Sequence, residues 1–151
     1  MSQPPNKTAY ASALGWLAQR DLTQSEIRSR LHRKGYDADV IESVITQLLT
    51  QNYISDDRVA RQVVDMALSR SRQGPLAIRH KLHSRGIERE TLEAAWEELT
   101  QTTDWLKIAE GIKERYDMND IKERARCARY LTRQGFPSTV IARVLQWDET
   151  P

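Results

Sequence analysis

The chain has 151 residues, of which 39% are hydrophobic and 29% charged, with a mean hydropathy of −0.67 and a formal net charge of +2. No apolar run approaches the roughly 20 residues that a membrane-spanning helix needs, and the start MSQPPNKT carries no signal-peptide core. The one cysteine, Cys127, excludes an intramolecular disulfide framework, so the expectation is a cytoplasmic protein with much surface per residue.

Residues 1–7, with Pro4 and Pro5, read as a lead-in without order. From Thr8, the residues Tyr10, Ala13, Leu14 and Leu17 recur at helical spacing and predict a helix over 8–20. Thr23 and Glu26 form a capping box, in which the threonine hydroxyl accepts from the third helical amide and the glutamate reaches back. The helix that follows carries Ile27 and Leu31 on one face and stops at Gly35, a residue suited to a left-handed cap. Asp37 or Asp39 starts the next, on which Val40, Ile41, Val44, Ile45, Leu48 and Leu49 make an apolar stripe.

The same pattern then returns twice. SEIRSRLHRKGY (Ser25 to Tyr36), AIRHKLHSRGI (Ala77 to Ile87) and RCARYLTRQGF (Arg126 to Phe136) superpose without gaps. Ile27, Ile78 and Cys127 align, as do Leu31, Leu82 and Leu131, then Gly35, Gly86 and Gly135. Further on, Ile41, Leu92 and Ile141 share a position, and so do Ile45, Trp96 and Leu145. The Gly74-Pro75 corner opens the middle member, since proline is tolerated in a first helical turn. The fold class is therefore all-α: three tandem three-helix repeats forming an elongated, curved array, because units of this size bury their stripes only by stacking. The predicted divisions are 8–52, 53–101 and 102–147, with 148–151 a tail. The predicted helices are 8–20, 24–34, 38–51, 55–71, 75–85, 88–100, 104–116, 120–134 and 138–146.

Few residues are arranged for chemistry. There is no phosphate-binding glycine loop and no dinucleotide fingerprint. His80 and His83 are three apart, but no cysteine or acid is spaced to complete a metal site with them or with His32; no metal, no cofactor and no catalytic residue is expected. Cys127 aligns with two isoleucines and reads as a buried aliphatic substitute. Asp56 and Asp57 fall in a first helical turn behind Ser55, where carboxylates complement the helix dipole by about 0.3 to 1 kcal/mol each. Trp16, Trp96, Trp105 and Trp147 suggest base stacking, yet Trp96 lies at a core position of the repeat, and packing is the more general role for the group.

Charge along the chain is uneven. Between Arg58 and Arg89 eight cations face two acids, Asp65 and Glu88, a local charge of +6, while the flanks are −1 and −3. On the fourth helix Val59, Val63, Met66 and Ala67 are expected inward. Arg61 can pair with Asp65, which leaves Arg58 and Arg72 free. A mixed surface would serve solubility as well, so Arg58, Arg61, Arg70, Arg72, Arg79, Lys81 and Arg85 are the candidate partner-binding residues, directed at a polyanion or an acidic protein.

YISDDRVA (Tyr53 to Ala60), the arginine-bearing stretch into Gly74-Pro75 and the repeated R-x-K/R-L…G pattern together resemble the RecX family of bacterial recombination regulators, over roughly Trp16 to Val144. The resemblance implies tandem three-helix repeats, no catalytic activity, and binding to the RecA filament on single-stranded DNA. It implies a role in homologous recombination, DNA repair and the SOS response, most simply by inhibiting the filament's ATPase, strand exchange and growth. The protein is then expected to act as a monomer, touching single-stranded DNA through the filament and no membrane. The alternative from the residues alone is a direct DNA-binding protein, since helix, glycine turn, helix also describes helix-turn-helix modules.

Overall fold

A computed structural model describes residues 5–70 and 73–146, which hold nine α-helices and, among those residues, no strand. In chain order they are α1 (Pro5–Leu17), α2 (Gln24–Arg33), α3 (Ala38–Thr50), α4 (Asp56–Arg70), α5 (Pro75–Ser84), α6 (Arg89–Thr102), α7 (Trp105–Lys113), α8 (Ile121–Arg133) and α9 (Ser138–Leu145). The predicted boundaries hold to within two residues except at α1 and at the end of α7. Helix α1 starts three residues earlier than predicted, because Pro5 can occupy a first helical turn where no amide is required. It also stops earlier: the amide of Gln19 donates to the carbonyl of Trp16, tightening the chain into a turn. The same shift closes α7, where the Arg115 amide turns back to Ile112.

Packing divides the chain into two compact units, one within residues 1–62 and 82–95 and the other within 63–81 and 96–151, so the middle sequence repeat contributes to both. In the first unit α1 and α2 lie against α3. Their shared core is Ala9, Ala13, Leu22, Ile27, Leu31, Ile41, Val44, Ile45, Leu48 and Ile54, all buried. In the second unit α7 and α8 lie against α9, and Trp105, Ala109, Ile112, Cys127, Leu131, Phe136, Ile141, Val144 and Leu145 are buried. Trp105 meets Phe136 edge-on with ring centroids 6.0 Å apart, the geometry that the quadrupoles of two aromatic rings favour.

The repeat is visible atom by atom. Ile27, Ile78 and Cys127 are each fully buried, and so are Leu31, Leu82 and Leu131. Each aligned glycine has positive φ, +91° at Gly35, +71° at Gly86 and +82° at Gly135. Around each, the same two hydrogen bonds close the helix: the glycine amide reaches the carbonyl three residues back and the next amide the carbonyl five back, as Tyr36 does to Leu31, Ile87 to Leu82 and Phe136 to Leu131. This is the Schellman closure. Cys127 is held as a core residue, and burial pushes its thiol up, away from the reactive thiolate form.

Three sequence expectations change. Trp96 stands at a core position of the repeat but is only half-buried, with the Arg79 guanidinium 4.9 Å from its ring centroid. Met66, predicted inward, is 56% exposed, whereas Val59, Ala60 and Ala67 are buried, so the inner stripe of α4 is narrower than its spacing suggests. Gly74 has a tighter constraint than a turn: a methyl group there would overlap the backbone carbonyl of Gln134 in the second unit.

Candidate interaction surface

The motif most telling in the sequence, ISDD, is a fastening within the first unit. Ser55 caps α4, its hydroxyl accepting from the Arg58 amide at 3.2 Å. Asp56, which is 5% exposed, does more than complement the dipole of its own helix. Its two carboxylate oxygens accept from the amides of Gln24 at 3.0 Å and Glu88 at 2.9 Å. One side chain at the start of α4 therefore satisfies backbone donors at the starts of α2 and α6, groups that otherwise stay orphaned at helix N-termini.

A second polar junction lies beside it. The Thr23–Glu26 capping box forms as predicted, and the Thr23 hydroxyl also donates to the carbonyl of Arg85 at 2.7 Å. Arg85 in turn grips Glu26 with two bonds, Nε at 2.9 Å and a terminal nitrogen at 3.1 Å, and donates to the Asp21 carbonyl. Arg58 donates to the Asp21 carboxylate at 3.1 and 3.2 Å and to the carbonyls of Asn52 and Tyr53. Gln62 takes the other oxygen of Asp21 at 2.8 Å. Arg58 is therefore not free, contrary to the sequence expectation: the acid that holds it is 37 residues away in the chain and invisible to a count along α4.

These pairings shape the acid response. Burial would raise the Glu26 carboxyl, but the Arg85 guanidinium and the Thr23 amide outweigh it and hold the group below the ordinary carboxylate value. Asp21 is held low chiefly by the Gln62 amide and, against a desolvation cost, by Arg58. Since both folded-state values lie below the unfolded ones, the stabilisation is fully present above the ordinary carboxylate range and is lost as pH falls through the folded values. The expected result is a urea midpoint that declines from about pH 5 downward. Glu26→Gln should start about 1–2 kcal/mol less stable at pH 7, having lost a charge-assisted bidentate pair, and decline less steeply. Urea titrations at pH 7 and at pH 3.5 check both slopes.

The seven candidate cations are thus placed unevenly. Arg58 and Arg85 are engaged inside the first unit, and Arg79 lies over Trp96 in the second. Arg61 and Lys81 are exposed. The Arg70 side chain and Arg72 lie outside the described residues, as does Trp147. His32, His80 and His83 are all exposed, and among the described residues no group of three or more His, Cys, Asp or Glu is placed to hold a metal ion.

A cationic face that the charge count passes over lies on α2. Trp16, at the end of α1 and half-buried against the core, carries the Arg30 guanidinium at 5.5 Å and the Lys34 ammonium at 5.8 Å from its ring centroid. Trp16, Arg30, Arg33 and Lys34 line an open hollow of about 360 Å³. The next hollow, of about 260 Å³, shares Arg30 and Arg33 and is lined further by Ser25, Ser29 and Ser84. Across residues 1–57 six cations are cancelled by seven acids, yet Asp21, Glu26 and Asp56 are among the acids bound inward, and Glu42 is bound to Arg28. The run from Arg28 to Lys34, four cations and no acid, was the available signal.

The described residues define an all-helical repeat protein whose charges are partly used in fastening helix ends and partly laid out on open surface; none of its helices, among those residues, is long and apolar enough to cross a membrane. Its matches agree with that class. Family models described as the first and second three-helix domains of RecX match residues 9–48 and 55–95. Regulatory protein RecX of Chromohalobacter salexigens is 35% identical over 148 residues, covering 95% of each chain, and that of Syntrophotalea carbinolica is 32% identical over 91% of this chain and 94% of its own. The crystal structure of RecX from Lactobacillus salivarius shares the fold at a TM-score of 0.81 and 24% identity, over 95% of this chain and 96% of that one. The chain belongs to the RecX family of regulatory proteins.

Proposed function

We propose that the protein is a non-enzymatic regulator that binds the RecA filament on single-stranded DNA and inhibits its ATPase, strand exchange and growth, acting in the cytoplasm as a monomer. The observation that carries this reading is the near full-length match to proteins named Regulatory protein RecX. The physical case is that a scaffold of helices with fixed ends loses little conformational entropy on binding. Its surface cations speed the encounter with a polyanionic filament in a salt-dependent way.

Of the three sequence repeats the middle one is the contact module, and Arg61, Arg70, Arg72, Arg79 and Lys81 are its candidate contact residues. Arg58 and Arg85 are tied to Asp21 and Glu26 within the first unit, so substituting them would mix stability with binding. The test is the DNA-dependent ATPase of RecA with this protein titrated in. Arg72→Glu with Lys81→Glu should leave the helical circular dichroism intact and raise the concentration for half-inhibition roughly tenfold or more, a loss of about 1.4 kcal/mol. Unchanged inhibition by this variant rules the surface out, and no inhibition by the unsubstituted protein rules out the function.

A further inference from the structure

We propose that the α1–α2 face of the first repeat is a binding site for single-stranded nucleic acid in its own right, with a base stacked on Trp16 and the flanking phosphates held by Arg30, Arg33 and Lys34. This goes beyond the regulatory reading, because it requires no second protein.

Three observations converge on that ligand. The indole of Trp16 is seated on the core yet open on the side of a hollow of about 360 Å³. Two cations already stand over it, at 5.5 and 5.8 Å from the centroid. The hollow continues into a second one through the shared Arg30 and Arg33, where the hydroxyls of Ser25 and Ser29 add hydrogen-bond partners suited to phosphate oxygens. The acid that lines this second hollow, Glu26, is neutralised by the two-pronged grip of Arg85. The face therefore keeps a net positive charge.

An acidic peptide would use the cations and leave the indole without a role. A duplex hides its base faces in the stack. A single strand offers both a π-face and a regularly spaced negative charge, the combination that aromatic platforms flanked by cations accept. On binding, the base takes the place of the cations over the ring, and the cations move to the phosphates, so that each group exchanges one partner for a stronger one.

The experiment is fluorescence anisotropy of a labelled oligothymidine of about 15 nucleotides with the full chain alone, at low and moderate salt. The parallel probes are an abasic strand of the same length and polyglutamate. The unsubstituted protein should bind the oligothymidine about five- to a hundredfold more tightly than the abasic strand, the range of one base stacked on one aromatic ring. Trp16→Phe should keep most of that preference and Trp16→Leu should lose it. Arg30→Gln with Arg33→Gln should weaken both strands and flatten the log–log salt slope by about 1.4, which is 0.7 for each lost phosphate contact. Equal affinity for the two strands, or for polyglutamate and oligothymidine, overturns the proposal, as does absence of binding. That comparison uses the unsubstituted protein, so it stands even if a variant at Trp16 folds poorly, and because no RecA is present it is independent of the ATPase result.

Discussion

Replacing Asp56 by alanine should lower the stability of the fold by about 3–5 kcal/mol, while replacing its neighbour Asp57 should cost less than about 1 kcal/mol. The two carboxylates are adjacent, both in the first turn of α4, and the difference lies in what surrounds them. Asp57 is exposed, whereas Asp56 is 5% exposed and accepts from two amides that belong to other helices, at 3.0 Å from Gln24 and 2.9 Å from Glu88. Removing the carboxylate leaves the buried Gln24 amide and the part-buried Glu88 amide without their acceptor, each at about 1–3 kcal/mol with the larger share at Gln24. The substitution Asp56→Asn is a useful second case: it keeps one acceptor but turns an N–H toward the other amide, so its cost should fall between those of the two alanine variants. Urea unfolding followed by circular dichroism measures the order. Hydrogen exchange at the amides of Gln24 and Glu88 should accelerate together in Asp56→Ala and not in Asp57→Ala; equal losses in the two variants would disprove the fastening.

The second large effect is expected at Gly86. Gly86→Ala should destabilise by about 2–4 kcal/mol, and Gly35→Ala, at the aligned position of the first repeat, by only about 1 kcal/mol. Both glycines close a helix with positive φ, +71° and +91°, so both substitutions carry the strain of a left-handed residue. Around Gly35 there is nothing within 4 Å of an added methyl group, whereas at Gly86 it would fall 2.7 Å from the Cβ and Oγ of Ser25. Ser25 cannot move away cheaply, because its neighbours Thr23 and Glu26 are tied to Arg85 by the bonds that join the end of α5 to the start of α2. Thermal unfolding of the two variants side by side is the measurement, and equal shifts in Tm would mean that the close approach at Gly86 relaxes without cost.

Much of the architecture was legible along the chain because it is repeated and local. Apolar spacing placed nine helices, the capping box marked the start of α2, and three glycines marked helix ends, since each of these signals arises from a backbone requirement within a few residues. The candidate surface was less legible. Counting cations identified Arg58 and Arg85 as available, but charge along a chain says nothing about the acids that folding brings alongside, and Asp21 and Glu26 lie 37 and 59 residues away from them. The same blindness concealed the face around Trp16, whose cations were averaged against acids that the fold turns to other uses. Trp96 shows the limit of repeat alignment: position in the pattern predicts a core residue like Ile45 and Leu145, yet the indole is half-buried under the Arg79 guanidinium.

The sequence by itself determined the helical class, the three-fold recurrence and the family, because periodicity, caps and motif residues act at short range. Tertiary structure alone decided which of two adjacent aspartates holds helix starts together, that Gly86 and Gly135 are crowded while the equivalent Gly35 is not, and which arginines face outward. Those outcomes depend on groups distant in the chain meeting within hydrogen-bond or contact distance, where the cost of an unpaired donor or an overlapping atom is set by the neighbour rather than by the residue itself.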